Sequence, residues 1–199
     1  MKTAAAARLA LTLLAIPPAA RAVDVGVKVE PGLALALSGP FSVDAAAALK
    51  GFVGLGPYVD VAAALVFLGL PTVAGSLSPE SGRAWAGGGG VVLRLPRESE
   101  AMRLKRPHDQ EAVFGASPWV DGDALFVRTG LFAHFGFQVG AGVSFPLGEA
   151  RSLWLGPFVR YLQIVANDAG GPGAGGVRTL IVGLSLEAGT NLSRTQAAP

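Results

Sequence analysis

The sequence predicts an all-β protein, an eight-stranded antiparallel up-and-down transmembrane β-barrel. Three observations favour this fold: an N-terminal export signal, a high apolar content, and apolar residues at alternate positions in segment after segment. Hydrophobic residues make up 51% of the 199 residues and charged residues only 15%, which is unusually apolar for a soluble domain. After the signal, the longest apolar run covers residues 61–70, about half of what a membrane helix needs. The apolar surplus therefore indicates strands that face lipid or a buried β core.

The first 22 residues have the three parts of a cleaved signal peptide. A basic start is followed by an apolar core over residues 9–16, and small residues then precede the predicted cleavage site. Ala20 and Ala22 fit a signal peptidase, so Val23 is predicted to begin the mature chain. An uncleaved anchor is the alternative, but the apolar core is far shorter than the ~20 residues that cross a bilayer as a helix.

Removal of the signal changes the charge balance. The signal holds three of the 16 basic residues, which leaves 13 against 14 acidic residues in the mature chain. No net positive field remains to neutralise phosphates, so nucleic acid is not an expected partner. The absence of cysteine excludes disulfides, thiolate metal sites and a lipid-modified N-terminal cysteine. We expect neither a cofactor nor a metal.

The first three strands are predicted where apolar residues occupy odd positions, over residues 23–37, 43–49 and 59–67. A period of two indicates strands with two unlike faces. The even positions of these strands carry the charged residues Asp24, Lys28, Glu30, Asp44, Lys50 and Asp60.

Five further strands follow the same alternation, although the fifth reverses its phase. Eight is the smallest common strand number for a single-chain membrane barrel. The five segments are residues 85–95, 119–128, 135–145, 153–165 and 180–187. Their charged members opposite the apolar face are Arg94, Asp121, Asp123, Arg160 and Glu187.

The connections alternate in length, as an up-and-down barrel with two different ends requires. Short turns at residues 55–57 and 146–150 are predicted to be periplasmic, and the loops at 69–83 and 167–176 to lie outside. The segment 97–117 departs from this pattern because it is long, charged and on the periplasmic side. Either this segment is an insertion, or the predicted number of strands is wrong there.

Alternation alone does not distinguish a water-soluble barrel from a membrane barrel, because the two turn opposite faces inward. The polar face here is rich in Gly, Ala and Ser, which suits a narrow lumen better than a solvated exterior. Large rings also fall on the apolar face, toward the outer ends of the strands, as in an aromatic girdle. The predicted girdle is Phe41, Phe67, Trp85, Phe126, Phe135 and Tyr161.

The opposite face is predicted to form a lumen polar network with charges of both signs. The interior of an eight-stranded barrel is just wide enough for side chains to fill. Unpaired buried charges are costly, so we expect these charges to pair and plug the lumen. The predicted members are Asp24, Lys28, Glu30, Asp44, Lys50, Asp60, Arg94, Asp121, Asp123, Arg160 and Glu187.

Candidate catalytic groups are few. Asp121 and Asp123 share a strand face as paired carboxylates can, but ion pairing in the lumen is the expected role. A lipid hydrolase would need His, Ser and a carboxylate at one rim, whereas His134 and Ser144 are predicted at opposite ends of one strand. We therefore predict no catalytic residue and no enzymatic activity.

Four segments resemble the N-terminal barrel of outer membrane protein A-type proteins, namely residues 103–109, 117–129, 155–164 and 180–187. The resemblance implies a structural anchor in the outer membrane, often followed by a periplasmic peptidoglycan-binding domain. We expect the barrel over 23–190, a short polar tail over 191–199 and no such domain. Outer-membrane lipids and the outer-membrane assembly machinery are the implied partners.

Three functions stay open. The first is a structural barrel with a plugged lumen, whose outer loops meet solvent or an unknown partner. The second is a transport barrel for small apolar solutes, which requires an apolar lumen at the outer end. The third is a lipid-modifying outer-membrane enzyme, which requires a triad at the rim. The expected interior charges favour the first.

Overall fold

The protein forms a closed eight-stranded antiparallel barrel, which confirms the predicted fold. The computed structural model describes residues 24–38, 41–56, 58–69, 83–95, 116–129, 132–147, 152–165 and 177–191. The predicted signal peptide with its cleavage site, and most of the tail, lie outside these residues. The strands are β1 (Asp24–Ala36), β2 (Val43–Gly54), β3 (Val59–Gly69), β4 (Arg83–Arg94), β5 (Ser117–Thr129), β6 (Phe132–Leu147), β7 (Leu153–Ile164) and β8 (Val177–Asn191).

Each strand pairs with the next along the chain, and β8 pairs with β1 to close the barrel. The predicted number of strands is correct across the long charged connection, because Arg94 at the end of β4 pairs directly with Trp119 of β5. Asp24 and Asn191 pair at one end of the barrel, which we call the terminal end. The other end, where β1 joins β2, β3 joins β4, β5 joins β6 and β7 joins β8, is the loop end.

The register of the pairs fixes the tilt of the strands. A path through successive Cα partners that leaves β1 at Val25 returns to β1 at Leu35, ten residues further on. With eight strands, this shift gives a tilt of about 40° to the barrel axis and an interior that side chains can just fill. The path runs through Val53, Val61, Val91, Gly122, Val139, Tyr161 and Leu180.

Strand length and alternation suit a membrane span. The strands contain 11 to 16 residues, and tilted strands of ~9–11 residues are long enough to cross the hydrocarbon core. Burial alternates strictly through the middle of β2, where Ala46, Ala48, Lys50 and Phe52 are buried and their neighbours exposed. The part of the chain that the structure describes holds no helix long and apolar enough to cross a bilayer.

The outward face is apolar around the whole barrel. Leu49, Leu65 and Leu184 illustrate it, with about half of each side chain exposed. Apart from three arginines at the loop end, the charged side chains that the structure describes point into the barrel, which is the polarity expected of a barrel whose solvent is lipid. This arrangement supports the predicted transmembrane character of the barrel.

The interior holds two layers, whereas the sequence analysis predicted a single lumen polar network. The charged layer lies toward the terminal end, together with the rings of Phe52, Trp119 and Phe158, and mainly apolar side chains fill the loop end. The main members of the apolar layer are Val66, Leu68, Leu125, Val127, Leu162, Ile164 and Ile181, with the alanines Ala34, Ala46, Ala84 and Ala86 between them.

Candidate functional site: the filled barrel interior

Nine of the eleven predicted network residues point inward and are buried. They are Lys28, Glu30, Lys50, Asp60, Arg94, Asp121, Asp123, Arg160 and Glu187. Asp44 is only half-buried and lies near Gly69 at the loop end, where no ion pair joins it to another described residue, so its membership of the network stays a prediction. The side chain of Asp24 lies outside the described part of the structure.

Lys50 and the two aspartates of β5 form the centre of the charged layer. Lys50 Nζ lies 2.6 Å from Asp121 Oδ2 and 2.6 Å from Asp123 Oδ2. Gln138 of β6 donates from Nε2 to Asp123 Oδ2 at 2.6 Å. Because β2 and β5 are not neighbours in the barrel, these contacts cross the lumen.

Arg160 of β7 extends this cluster to β1. Its Nη2 lies 2.9 Å from Glu30 Oε2 and 2.8 Å from Asp121 Oδ2. Lys28 Nζ lies 3.5 Å from Glu30 Oε1 and 3.5 Å from the ring centre of Trp119. The cluster therefore links β1, β2, β5, β6 and β7 across the barrel.

Arg94 organises a second cluster nearer the terminal end. It forms an ion pair with Asp60 of the neighbouring strand β3, and its Nη1 donates to Glu187 Oε1 of β8 at 2.9 Å. The guanidinium also lies over the Phe52 ring, 4.7 Å from its centre. This cluster spans the lumen between β4 and β8.

Small residues on the inner face make room for these large side chains. A Cβ on Gly140 would lie 2.6 Å from Asp121 Oδ1 and 3.1 Å from Arg160 Nη2. A Cβ on Gly142 would lie 2.6 Å from Cζ2 of Trp119, whose ring nitrogen donates to Ser144 Oγ at 3.1 Å. Gly140 and Gly142 therefore leave space that these large side chains occupy.

The apolar layer is the part of the interior that the sequence reading missed. Leu68, Leu125 and Leu162 have no exposed surface at all, so the described side chains close the loop end by packing against one another. The sequence does contain this information. Leu68 lies on the same strand face as Asp60, Leu125 on the same face as Asp123, and Leu162 on the same face as Arg160. Extending the inward-facing positions to the loop ends of these strands predicts the apolar layer.

The six predicted girdle residues lie at the loop end. Phe41, Trp85, Phe126 and Phe135 are exposed, and Phe67 and Tyr161 are half-buried. Phe67 and Trp85 meet edge to face with ring centres 4.8 Å apart. Gln163 is a polar residue on the outward face of β7, and its Oε1 accepts a hydrogen bond of 2.8 Å from the Tyr161 hydroxyl. An interfacial role for these rings stays a prediction.

The described residues do not assemble a catalytic triad at a rim. His134 and Ser144 are ten positions apart on β6, which separates them by roughly 33 Å along the strand. Both carboxylates of β5 are held by Lys50 and by Arg160. The predicted pairing of Asp121 and Asp123 with lumen cations is what the geometry displays.

Electrostatically, the layer nearly neutralises itself. Its buried members in the described residues are four cations and five carboxylates, so a net charge near −1 remains inside the barrel. Ion pairs that hold their partners across a lumen obstruct the passage of ions and water, because moving them means separating charges in a low-dielectric interior. The arrangement can therefore act as a polar plug.

Comparison with known proteins supports the fold. No protein-family model matches the chain, and no curated protein matches it. Among solved structures, Neisserial surface protein A (NspA) matches with a TM-score of 0.54 and 12% identity, over 83% of this chain and 96% of that chain. The attachment invasion locus protein Ail of Yersinia pestis matches with a TM-score of 0.42 and 9% identity, over 84% and 99%. The likeness to NspA shows the eight-stranded barrel fold that the resemblance to outer membrane protein A-type proteins implied.

Proposed function

We propose that this chain is a non-enzymatic structural barrel of the outer membrane of a Gram-negative-type bacterium, exported through a cleaved signal peptide. Its polar lumen is largely plugged. The observation that carries the proposal is the charged layer inside an apolar cylinder, because Arg160, Lys50 and Arg94 tie non-adjacent strands together across the lumen. Side chains in this arrangement act by placement rather than by chemistry.

The orientation follows from the connections. The terminal end carries both ends of the barrel chain and the short connection between β2 and β3, so we assign it to the periplasm, as in other bacterial barrels, although the long connection between β4 and β5 lies at the same end. The loop end then faces outward, where its connections meet solvent or an unknown partner. Outer-membrane lipids and the assembly machinery are the other partners of the proposal.

The proposal is tested by folding the purified mature chain with and without detergent. Heat-modifiable gel migration reports the closed barrel, and fluorescence reports Trp119 and Trp154, which are buried inside it. We expect the folded form only with detergent or lipid, because the apolar outer face needs an apolar solvent. Stable folding in plain buffer would overturn the proposal.

A second candidate function is favoured by the apolar layer, since a transport barrel for small apolar solutes requires an apolar lumen at its outer end. Solutes would enter past Leu68, Leu125 and Leu162, which are fully buried in the closed barrel. Leu125→Ala would widen this passage, whereas the outward-facing Val120→Ala would not. If the barrel transports, Leu125→Ala changes the uptake of an apolar dye by reconstituted vesicles; a structural barrel shows no uptake above empty vesicles in either variant.

A further inference from the structure

The outer surface bears an uneven set of charges. Among the residues whose side chains the structure describes, three charged residues face outward, and all three are arginines: Arg83, Arg128 and Arg178. Each lies within two residues of the loop end of its strand. Every acidic side chain that is described points inward instead.

Two of these arginines are neighbours. Arg128 of β5 is the direct cross-strand partner of Trp85 on β4, and Arg83 lies two positions from Trp85 on the same face. Arg83 and Arg128 are therefore diagonal neighbours, a relation in which Cα atoms are about 7–8 Å apart and long side chains can meet. Both arginines thus lie beside Trp85 on the outer face of the barrel.

Below this pair lies an aromatic patch formed by Phe67, Trp85 and Phe126. Trp85 is 64% exposed and Phe126 77% exposed, and Phe67 packs edge to face against Trp85. Rings of this kind mark the head-group level of a bilayer. Arg83 lies two residues beyond Trp85 toward the loop end, and Arg128 two residues beyond Phe126. In a barrel that spans a bilayer, this is the side of the rings on which the lipid phosphates lie.

Like charges this close repel one another, and no outward-facing carboxylate in the described residues offsets them. Phosphate suits the pair because a guanidinium binds its oxygens with two parallel hydrogen bonds. Basic residues near a membrane surface also attract anionic lipids. The site thus suits a lipid whose anionic head group lies at the arginines and whose apolar acyl chains lie on the aromatic patch.

We propose that Arg83 and Arg128 bind the phosphate of an anionic lipid in the leaflet at the loop end, while its acyl chains lie on the aromatic patch. The inference rests on the membrane location proposed above. Arg178 lies on β8, away from β4 and β5, where its neighbours across the strands are Gln163 and Leu37. It provides a matched control with the same charge and the same height.

The experiment uses Trp85 as a local probe. The full mature barrel is reconstituted into phosphatidylcholine vesicles that contain a small fraction of either brominated phosphatidylglycerol or brominated phosphatidylcholine. Bromine on the acyl chains quenches a tryptophan that touches them, and Trp119 and Trp154 are shielded inside the barrel. We expect stronger quenching by the brominated anionic lipid at equal fractions.

Variants test whether Arg83 and Arg128 cause the stronger quenching by the brominated anionic lipid. Removing one arginine is expected to lower the local enrichment of the anionic lipid about fivefold. Arg128→Ala should therefore reduce the excess of quenching by the brominated anionic lipid, and Arg83→Ala combined with Arg128→Ala should abolish it. Arg178→Ala should leave this excess of quenching unchanged. Heat-modifiable migration verifies that each variant is folded. Salt gives a second measurement on the wild-type chain, because at about 1 M the Debye length falls to about 3 Å and the excess should shrink.

The outcomes are separable. Equal quenching by the two brominated lipids in the wild type overturns the lipid site, as does an excess that the double variant retains. A loss as large in Arg178→Ala as in Arg128→Ala also overturns it, since general surface charge would then explain the enrichment. Absence of quenching by both lipids rejects the membrane location instead.

Discussion

Arg160 is the residue on which the charged layer depends most. Its guanidinium contacts Glu30 on β1 and Asp121 on β5, and Nη1 lies 3.5 Å from Asp123. The side chain is 1% exposed, so water cannot replace these contacts. Loss of the guanidinium would leave carboxylates facing one another in a low-dielectric space, and the cost of such an uncompensated charge exceeds the net value of the intact pair.

Replacing Arg160 with Met is expected to destabilise the barrel strongly. Removal of one partner from a buried ion pair typically costs about 3–5 kcal/mol. Urea unfolding in detergent, followed by heat-modifiable migration, measures the free energy of unfolding. Arg178→Ala removes an outward-facing arginine and should cost about 1 kcal/mol or less. Equal effects of the two substitutions would contradict a structural role for the interior charges.

Gly140 tests whether the glycines of the inner face serve as space for the charged layer. Gly140→Ala places a Cβ against Asp121 and Arg160, and overpacking of this kind costs about 1–3 kcal/mol. Gly122 on the neighbouring strand faces outward, and its Cβ would meet nothing closer than 4.0 Å. Gly122→Ala should therefore be neutral or stabilise by about 0.4–1 kcal/mol. The same urea unfolding measures both, and the reverse order of stabilities would refute this explanation.

At the scale of the strands, period-two alternation predicted which face each residue occupies, including the reversed phase of β5. A strand pattern contains no information on which side chains meet across a lumen, since contacts such as Arg160 with Glu30 depend on tilt and register. Alternation also gives the face of a residue but not its height along the barrel: Asp44 shares the inward face with the charged residues but lies near the loop end. The charged layer and the apolar layer differ in their position along the barrel axis.

The outward face of β2 tests the lipid environment of the strands. Leu49 lies near the middle of the strand and Val43 at its loop end, and both are outward and about half exposed. An arginine on the lipid face costs about 2–4 kcal/mol at the bilayer midplane and about 0–1 kcal/mol near the interface. Leu49→Arg should thus destabilise the reconstituted barrel far more than Val43→Arg. Equal costs in lipid-based unfolding measurements would contradict the membrane span.

At the scale of the whole molecule, eight strands and a register shift of ten residues produce a cylinder whose interior side chains can fill. The outer face is apolar, ion pairs cross the terminal half of the interior, and mainly apolar side chains occupy its loop half. The apolar surplus and the strand count were readable from composition and pattern, whereas the cleaved signal peptide stays a prediction. The division of the interior into two layers required the three-dimensional register.

The central claim is that this membrane barrel has a filled lumen, and conductance tests it most directly. The mature chain is inserted into a planar bilayer after heat-modifiable migration has shown that the preparation is folded, and insertion is verified by protease protection in matched vesicles. The filled interior predicts no steady conductance above that of the bare bilayer, in wild type and in Gly122→Ala alike. A stable open conductance in the wild-type barrel would contradict the claim.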